Sequence, residues 1–133
     1  MPDRSHVGRH YHAPGQVVDG AAARAFGAAI AGADEVFDPA AVPPTFAAVY
    51  CVFPTLHQLF EDADVGVTLA GLVHAEQFFE WPTPIRGGDV VDATAVITSV
   101  EDRRGILLLG VDHEARRQDG DTVCRGHSLM IIR

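Results

Sequence analysis

Three carboxylates, Asp34, Glu35 and Asp38, crowd into the stretch AGADEVFDPAAVPPTF, which runs from Ala31 to Phe46 and holds a double proline, Pro43-Pro44. Carboxylates beside a helix start are raw material for acid–base chemistry. A positioned base removes a weakly acidic proton, and the free N–H groups of the helix start receive the negative charge that develops on a carbonyl oxygen. Here those groups belong to Thr45, Phe46 and their neighbours. Every helix start offers such donors, so the same residues also read as an ordinary helix entry after an acidic loop. Both readings stand at this level.

Histidines are the other candidate bases, and there are seven. His74, in LVHAEQ, is followed two residues later by Glu76; on a strand the pair shares a face, where a carboxylate can orient an imidazole. A plain surface or interface pair is the alternative. His10 and His12 also share a strand face, but two ligands fall short of the three or four a metal needs, so neither a metal nor a cofactor is expected. His57 falls near the end of a helix. His113 and His127 fall in strands and read as structural. No G-x-S-x-G elbow is present, so serine-based hydrolysis has no support. Cys51 and Cys124 sit in apolar runs and read as buried free thiols, a disulfide being the alternative.

The elements that must position these residues follow from pattern. His6 to Val18 is strand-like, broken at Pro14-Gly15. Asp19 is an N-cap for GAAARAFGAAIAG, whose Ala22, Ala25, Phe26, Ala29 and Ile30 keep helical spacing, with Gly32 as the C-cap. Pro44 suits the first position of a second helix, PTFAAVYCVFPTLHQLFED, apolar on most sides and therefore buried. Pro54 falls inside it and should kink it or end it early. After Val65, four strand-like segments of about ten residues follow, joined by the hairpin-length connections PTPIRGGD, EDRRG and RRQDGD. One long helix wrapped by a curved antiparallel sheet is an α+β architecture. Such a unit leaves sheet edges uncovered, so pairing with a second copy or a relative is expected.

Composition narrows the functional classes. A chain of 133 residues fits one domain spanning 1–133, and 47% hydrophobic content builds one core. All ten basic residues are arginine and the net charge is −8. No basic stripe appears, which argues against nucleic acid. No window resembles a membrane span, and MPDRSHVGRHYH lacks the apolar centre of a signal peptide, so the cytoplasm is the expected compartment.

Four stretches together resemble one known family. ARAFGAAIAGADEVFDP resembles its first helix and acidic loop, and VPPTFAAVY the start of its central helix. LVHAEQFFEWPTPIRGGDVVDATAVI resembles its H-x-E-Q-x-F … P-[IL]-R-x-G-D strand pair, and RRQDGDTVCRGHSLMII its last hairpin. The family is the MaoC-like dehydratase superfamily, of hotdog fold, in its N-terminal or fatty-acid-synthase-type branch, which includes non-catalytic subunits of heterodimeric dehydratases. The resemblance implies elimination of water from a (3R)-hydroxyacyl thioester on acyl carrier protein or coenzyme A. Active members carry an aspartate and, five residues later, a histidine, in D-x-N-P-x-H. The aspartate matches Asp34; the histidine position holds Pro39, and the Asn-Pro is absent as well. Proline cannot take a proton. The resemblance therefore implies the acyl-binding, stabilising half of a dehydratase, with Thr45, Phe46, Tyr50 and Phe53 contacting substrate. A sister hotdog subunit, or the same chain as a homodimer, would be its partner. Arg103, Arg104, Arg116 and Arg117 are candidates for docking an acidic carrier. A hotdog acyl-thioesterase using Asp34 or Asp38, and a non-enzymatic acyl-binding module, are the alternatives.

Overall fold

Alternating apolar and polar residues lay down a five-stranded antiparallel sheet. The computed structural model describes residues 1–36 and 38–133. The strands are β1 (His10–Val17), β2 (Leu72–Glu80), β3 (Val90–Arg103), β4 (Ile106–Arg117) and β5 (Thr122–Ile132), in the order β1-β3-β4-β5-β2. Their inner face is a run of small and branched residues, among them Val91, Ala93, Ala95, Ile97, Leu109, Val111, Ala115 and Met130, all buried. This is the α+β hotdog architecture expected from the sequence.

Three local expectations change. Pro14-Gly15 does not break the first strand. Proline cannot donate to the ladder, so the register shifts between Ala13 and Gln16, and Gly15 at φ +68° absorbs the bend. β2 and β3 do not form a hairpin. β2 pairs with β5 at the far edge, and residues 81–89 cross back to the sheet interior. Pro82 and Pro84 keep the ladder from running on past Glu80, since neither can donate a ladder hydrogen bond. Finally, α1 (Gly20–Ile30) ends on an extended Ala31 without using Gly32 as its cap. Its start is as expected, with Asp19 Oδ1 accepting from the N–H groups of Ala21 and Ala22 at 2.9 and 3.0 Å.

The central helix is composite. A 3-10 turn, Pro44–Phe46, leads into a π-helical turn, Ala48–Val52, and then into α2 (Phe53–Glu61). Pro54 sits in the first turn of α2, where its missing N–H breaks the regular ladder and the chain widens into the π turn just before it. The face toward the sheet carries Ala47, Tyr50, Cys51, Leu56 and Leu59. Ala47 and Cys51 are small enough to let the helix approach the sheet closely. The thiols of Cys51 and Cys124 are free and buried. A hydrogen bond with Cys124, together with burial, pushes the Cys51 pKa up, so it stays an unreactive thiol.

Candidate functional site

The crossing segment that replaces the expected hairpin builds a large hollow. Residues 81–87 face α1 and the 38–44 loop across a groove of about 890 Å³. Three ties hold its walls. Trp81 Nε1–H donates to the Pro44 carbonyl at 3.1 Å. Ala41 and Arg86 form an antiparallel bridge. Gly20 and Gly87 meet so closely that a Cβ on Gly87 would lie 2.8 Å from Gly20 Cα. Tyr50, at 2% exposure, lines the groove from the central helix, backed by Phe46 at 6.4 Å between ring centres. Its hydroxyl has no hydrogen-bond partner among the described residues. Burial, with smaller contributions from Cys124 and Cys51, pushes its pKa up, so it stays a neutral donor.

The groove gathers some of the residues singled out in the sequence and leaves others outside. Pro39 and Asp38 line it; Asp34 is exposed and does not. Asp38 Oδ1 accepts from Ala40 N–H at 2.8 Å, and Glu35 Oε2 accepts from Gly32 N–H at 3.0 Å, so both carboxylates brace their own loop. No histidine lines the groove among the described residues. The expected oxyanion donors are partly spent, because the helix begins as a 3-10 turn. Phe46 N–H donates to the Pro43 carbonyl at 3.0 Å, and Ala47 N–H donates to the carbonyls of Pro44 and Thr45. Thr45 is exposed, and Phe46 belongs to the core, edge-to-face against Phe26.

Phe53, 55% exposed, and His74 face a separate hollow of about 300 Å³ between the helix and β2. The expected His74–Glu76 orienting pair does not form. β2 bulges between His74 and Glu76, so His74 Nε2 lies 3.0 Å from Gln77 Oε1 instead. The arginine patch also dissolves. Arg103 and Arg104 sit at one end of β4 and Arg116 and Arg117 at the other, roughly 30 Å apart at the rise of a strand. Arg103 pairs with Glu101, Arg116 with Glu114, and Arg117 with Asp89, Asp119 and Asp121.

Sequence reasoning missed a polar chain through the core. His113, 3% exposed, places Nε2 at 2.8 Å from Ser128 Oγ, whose hydroxyl donates to Gln77 Oε1 at 2.6 Å. With the Ser128 proton so committed, His113 carries its own proton on Nε2. Its Nδ1 lies 3.5 Å from Thr55 Oγ1, whose one proton is shared between that nitrogen and the Val52 carbonyl at 3.2 Å. Burial holds the His113 pKa down to about 4, so the ring is neutral. The chain ties the kink of the helix to the bulge of the edge strand. No sequence spacing signals it, since its members come from the central helix, β2, β4 and β5.

Comparison with known proteins places this geometry. A UPF0336 protein of Cutibacterium acnes is 36% identical over 93 residues, covering 70% of this chain and 64% of that relative. The match thus spans under two thirds of the length of this relative and of a UPF0336 protein of Streptomyces coelicolor, 28% identical over 92 residues. The fold matches the C-terminally truncated HadBC (3R-hydroxyacyl-ACP dehydratase) complex of Mycobacterium tuberculosis with a TM-score of 0.79 and 22% identity, covering 95% of this chain and 96% of that one. HtdX of the same organism matches with a TM-score of 0.75 and 20% identity, over 94% of this chain and 51% of that one. The family model for the FAS1-like dehydratase domain region matches residues 5–125. With the match running through the acidic loop, the central helix and the crossing segment that frame the groove, the chain belongs to the FAS1-like dehydratase-region family.

Proposed function

We propose that this chain is the acyl-binding, stabilising subunit of a (3R)-hydroxyacyl-thioester dehydratase acting on acyl carrier protein or coenzyme A thioesters. A sister hotdog subunit supplies the aspartate and histidine. The reaction removes a proton from C2 of the acyl group and releases the C3 hydroxyl as water. It needs a base at C2 and donors for the enolate oxygen. The observation that carries the reading is the groove itself: mostly apolar walls and a buried tyrosine, Pro39 where the family pattern has histidine, and no imidazole among the described lining residues. That is a site built to hold a chain and lacking the group that would react with it. Likeness to the HadBC dehydratase complex supports a role inside a two-subunit enzyme. So do the apolar side chains left in solvent on the central helix and β2, Val49, Phe53, Val73 and Phe78.

Hydration of crotonyl-CoA, followed by loss of absorbance, tests this. The purified chain alone is expected to be inert, and activity to appear when it is co-expressed with a catalytic hotdog subunit. A normal enzymatic rate from the chain alone overturns the non-catalytic reading. One observation keeps a thioesterase reading as the second choice: Asp38 does line the groove. Release of free thiol from acyl-CoA, abolished by Asp38→Asn, would establish that reading in place of the first.

A further inference from the structure

The outer face of the sheet, turned away from the central helix, changes character along its strands. Side chains alternate, so this face of β4 carries Ile106, Leu108, Asp112, Glu114 and Arg116, and this face of β5 carries Arg125, His127, Leu129 and Ile131. Toward Arg116 and Arg125 the face is polar, as a sheet open to water should be. Toward Ile106 it is apolar. Leu108, Ile131 and Val73 stand in register across β4, β5 and β2, with Ile106 and Leu129 on either side of that stripe. Val73 and Ile106 are exposed, and the other three are half-buried.

Charge is ordered about this stripe. Leu107 pairs with Ile132, so Arg133, the next residue, stands level with Ile106, one step to one side of the stripe. Glu76 pairs with Leu129, one step to the other side. Farther out, Arg103 and Arg104 at the β3–β4 turn lie on the Arg133 side, and Asp112, with His127 at 2.6 Å, lies on the Glu76 side. The two acids at the basic end are already engaged: Glu101 pairs with Arg103, and Asp102 Oδ1 accepts from Gly105 N–H at 2.9 Å. A half-turn about the stripe lays the stripe of one copy on that of another and brings each basic end over an acidic one. Each Arg133 then faces the other copy's Glu76, so unlike charges meet locally although each chain carries a net −8. A partner of another sequence would need its own matching order of charges; a second copy already has it.

We propose that the outer face of the sheet is a self-association surface on which two copies of this chain pack back to back, with Leu108 and Ile131 at the centre and Arg133–Glu76 contacts at the rim. This goes beyond the function proposed above and does not depend on it. The surface is separate from the β2 edge: β4 is the middle strand of the sheet, and a chain added beside β2 does not cover its outer face. A unit of this chain and a sister subunit would therefore pair into a four-chain assembly, with two copies of this chain at its centre.

Light scattering of the purified chain across a concentration series tests the inference, with circular dichroism of each variant to establish that it is folded. Leu108→Lys sets a charge in the centre of the contact and is expected to weaken association by about tenfold or more. Arg133→Glu and Glu76→Arg change exposed side chains, so folding does not confuse the result. Each alone is expected to weaken association by about fivefold, and both in one chain to restore it, because the swap keeps unlike charges opposed. A wild type that stays monomeric across the series overturns the proposal. So does a double swap that associates no more tightly than its parents. Equal association of wild type and Leu108→Lys also overturns it and assigns the pairing to another surface. Binding of a sister subunit that Leu108→Lys weakens, with no pairing of like chains, gives this face to the sister and overturns the proposal too.

Discussion

His113 shows how one buried side chain sets a property of the whole molecule. Its ring is neutral because burial, reinforced by the nearby charge of His74, disfavours the imidazolium. The unfolded chain takes the proton more readily, since an exposed histidine titrates near its ordinary value of about 6.5. Stability from this group is therefore complete above about pH 6.5 and is lost as the pH falls toward about 4, with a ceiling of about 3 kcal/mol. The acidic groups held low, Asp3 and Asp62, lose their contribution only below the ordinary carboxylate range, so the two windows separate. Urea denaturation between about pH 7.5 and 4.5 should show a falling midpoint in the wild type and a flatter one in His113→Gln, whatever the variant's stability at neutral pH. An equal slope in both would assign the acid sensitivity elsewhere. None of this was legible in the sequence. The alternation of β4 gives the strand, and a histidine there reads as structural. What makes it informative is Ser128 and Gln77, brought beside it by strand pairings that no local pattern encodes. Pro39 is the opposite case: its meaning is local, and the sequence alone shows a proline where the family pattern it resembles has histidine.

At the scale of elements, the pattern found every strand and both helices but not the path between them. Periodicity reports which face of a strand is apolar; it does not report which neighbour the strand takes. The segment PTPIRGGD was expected to be a hairpin-length turn. It crosses the end of the sheet instead, and in crossing it becomes a wall of the groove. The bulge in β2 is a second example, because one extra residue moved His74 away from Glu76 and onto Gln77. The position that most depends on the crossing is Gly87. Its contact with Gly20 is backbone against backbone, at 2.8 Å for an added Cβ, so neither side can yield by a rotamer change. Gly87→Ala should cost roughly 1–3 kcal/mol, the usual penalty for overpacking, and should loosen the groove wall. A lowered thermal midpoint together with weaker crotonyl-CoA binding is the expected pair of results. An unchanged midpoint would mean the two glycines do not bear on one another in solution.

At the scale of the molecule, what the fold leaves uncovered is as informative as its core. β2 is an edge strand with an unpaired side, and it exposes Val73 at 45% and Phe78 at 61%. The central helix adds Val49 and Phe53, and Phe53 shares a hollow with His74, Ala75, Glu76 and Gln77 of β2. An open edge beside apolar side chains on a helix is a surface that a second hotdog can cover by continuing the sheet and laying its own helix alongside. Phe53→Arg tests this without confusing folding with pairing. The side chain is more than half exposed, so its replacement should leave the stability of the monomer within about 1 kcal/mol of wild type. An aromatic residue at the centre of an interface is commonly worth 2 kcal/mol or more, so association should weaken by about tenfold or beyond. Light scattering across a concentration series reads the mass directly, with and without the sister subunit. Charge then separates the two kinds of partner. Two copies of a chain of net charge −8 repel, so added salt should tighten a homodimer, whereas a complex with a less acidic subunit should be indifferent to salt or weaken. A wild-type chain that stays monomeric alone and with its sister subunit, unchanged by Phe53→Arg, would leave the exposed apolar surface without a partner and remove the two-subunit reading of this fold.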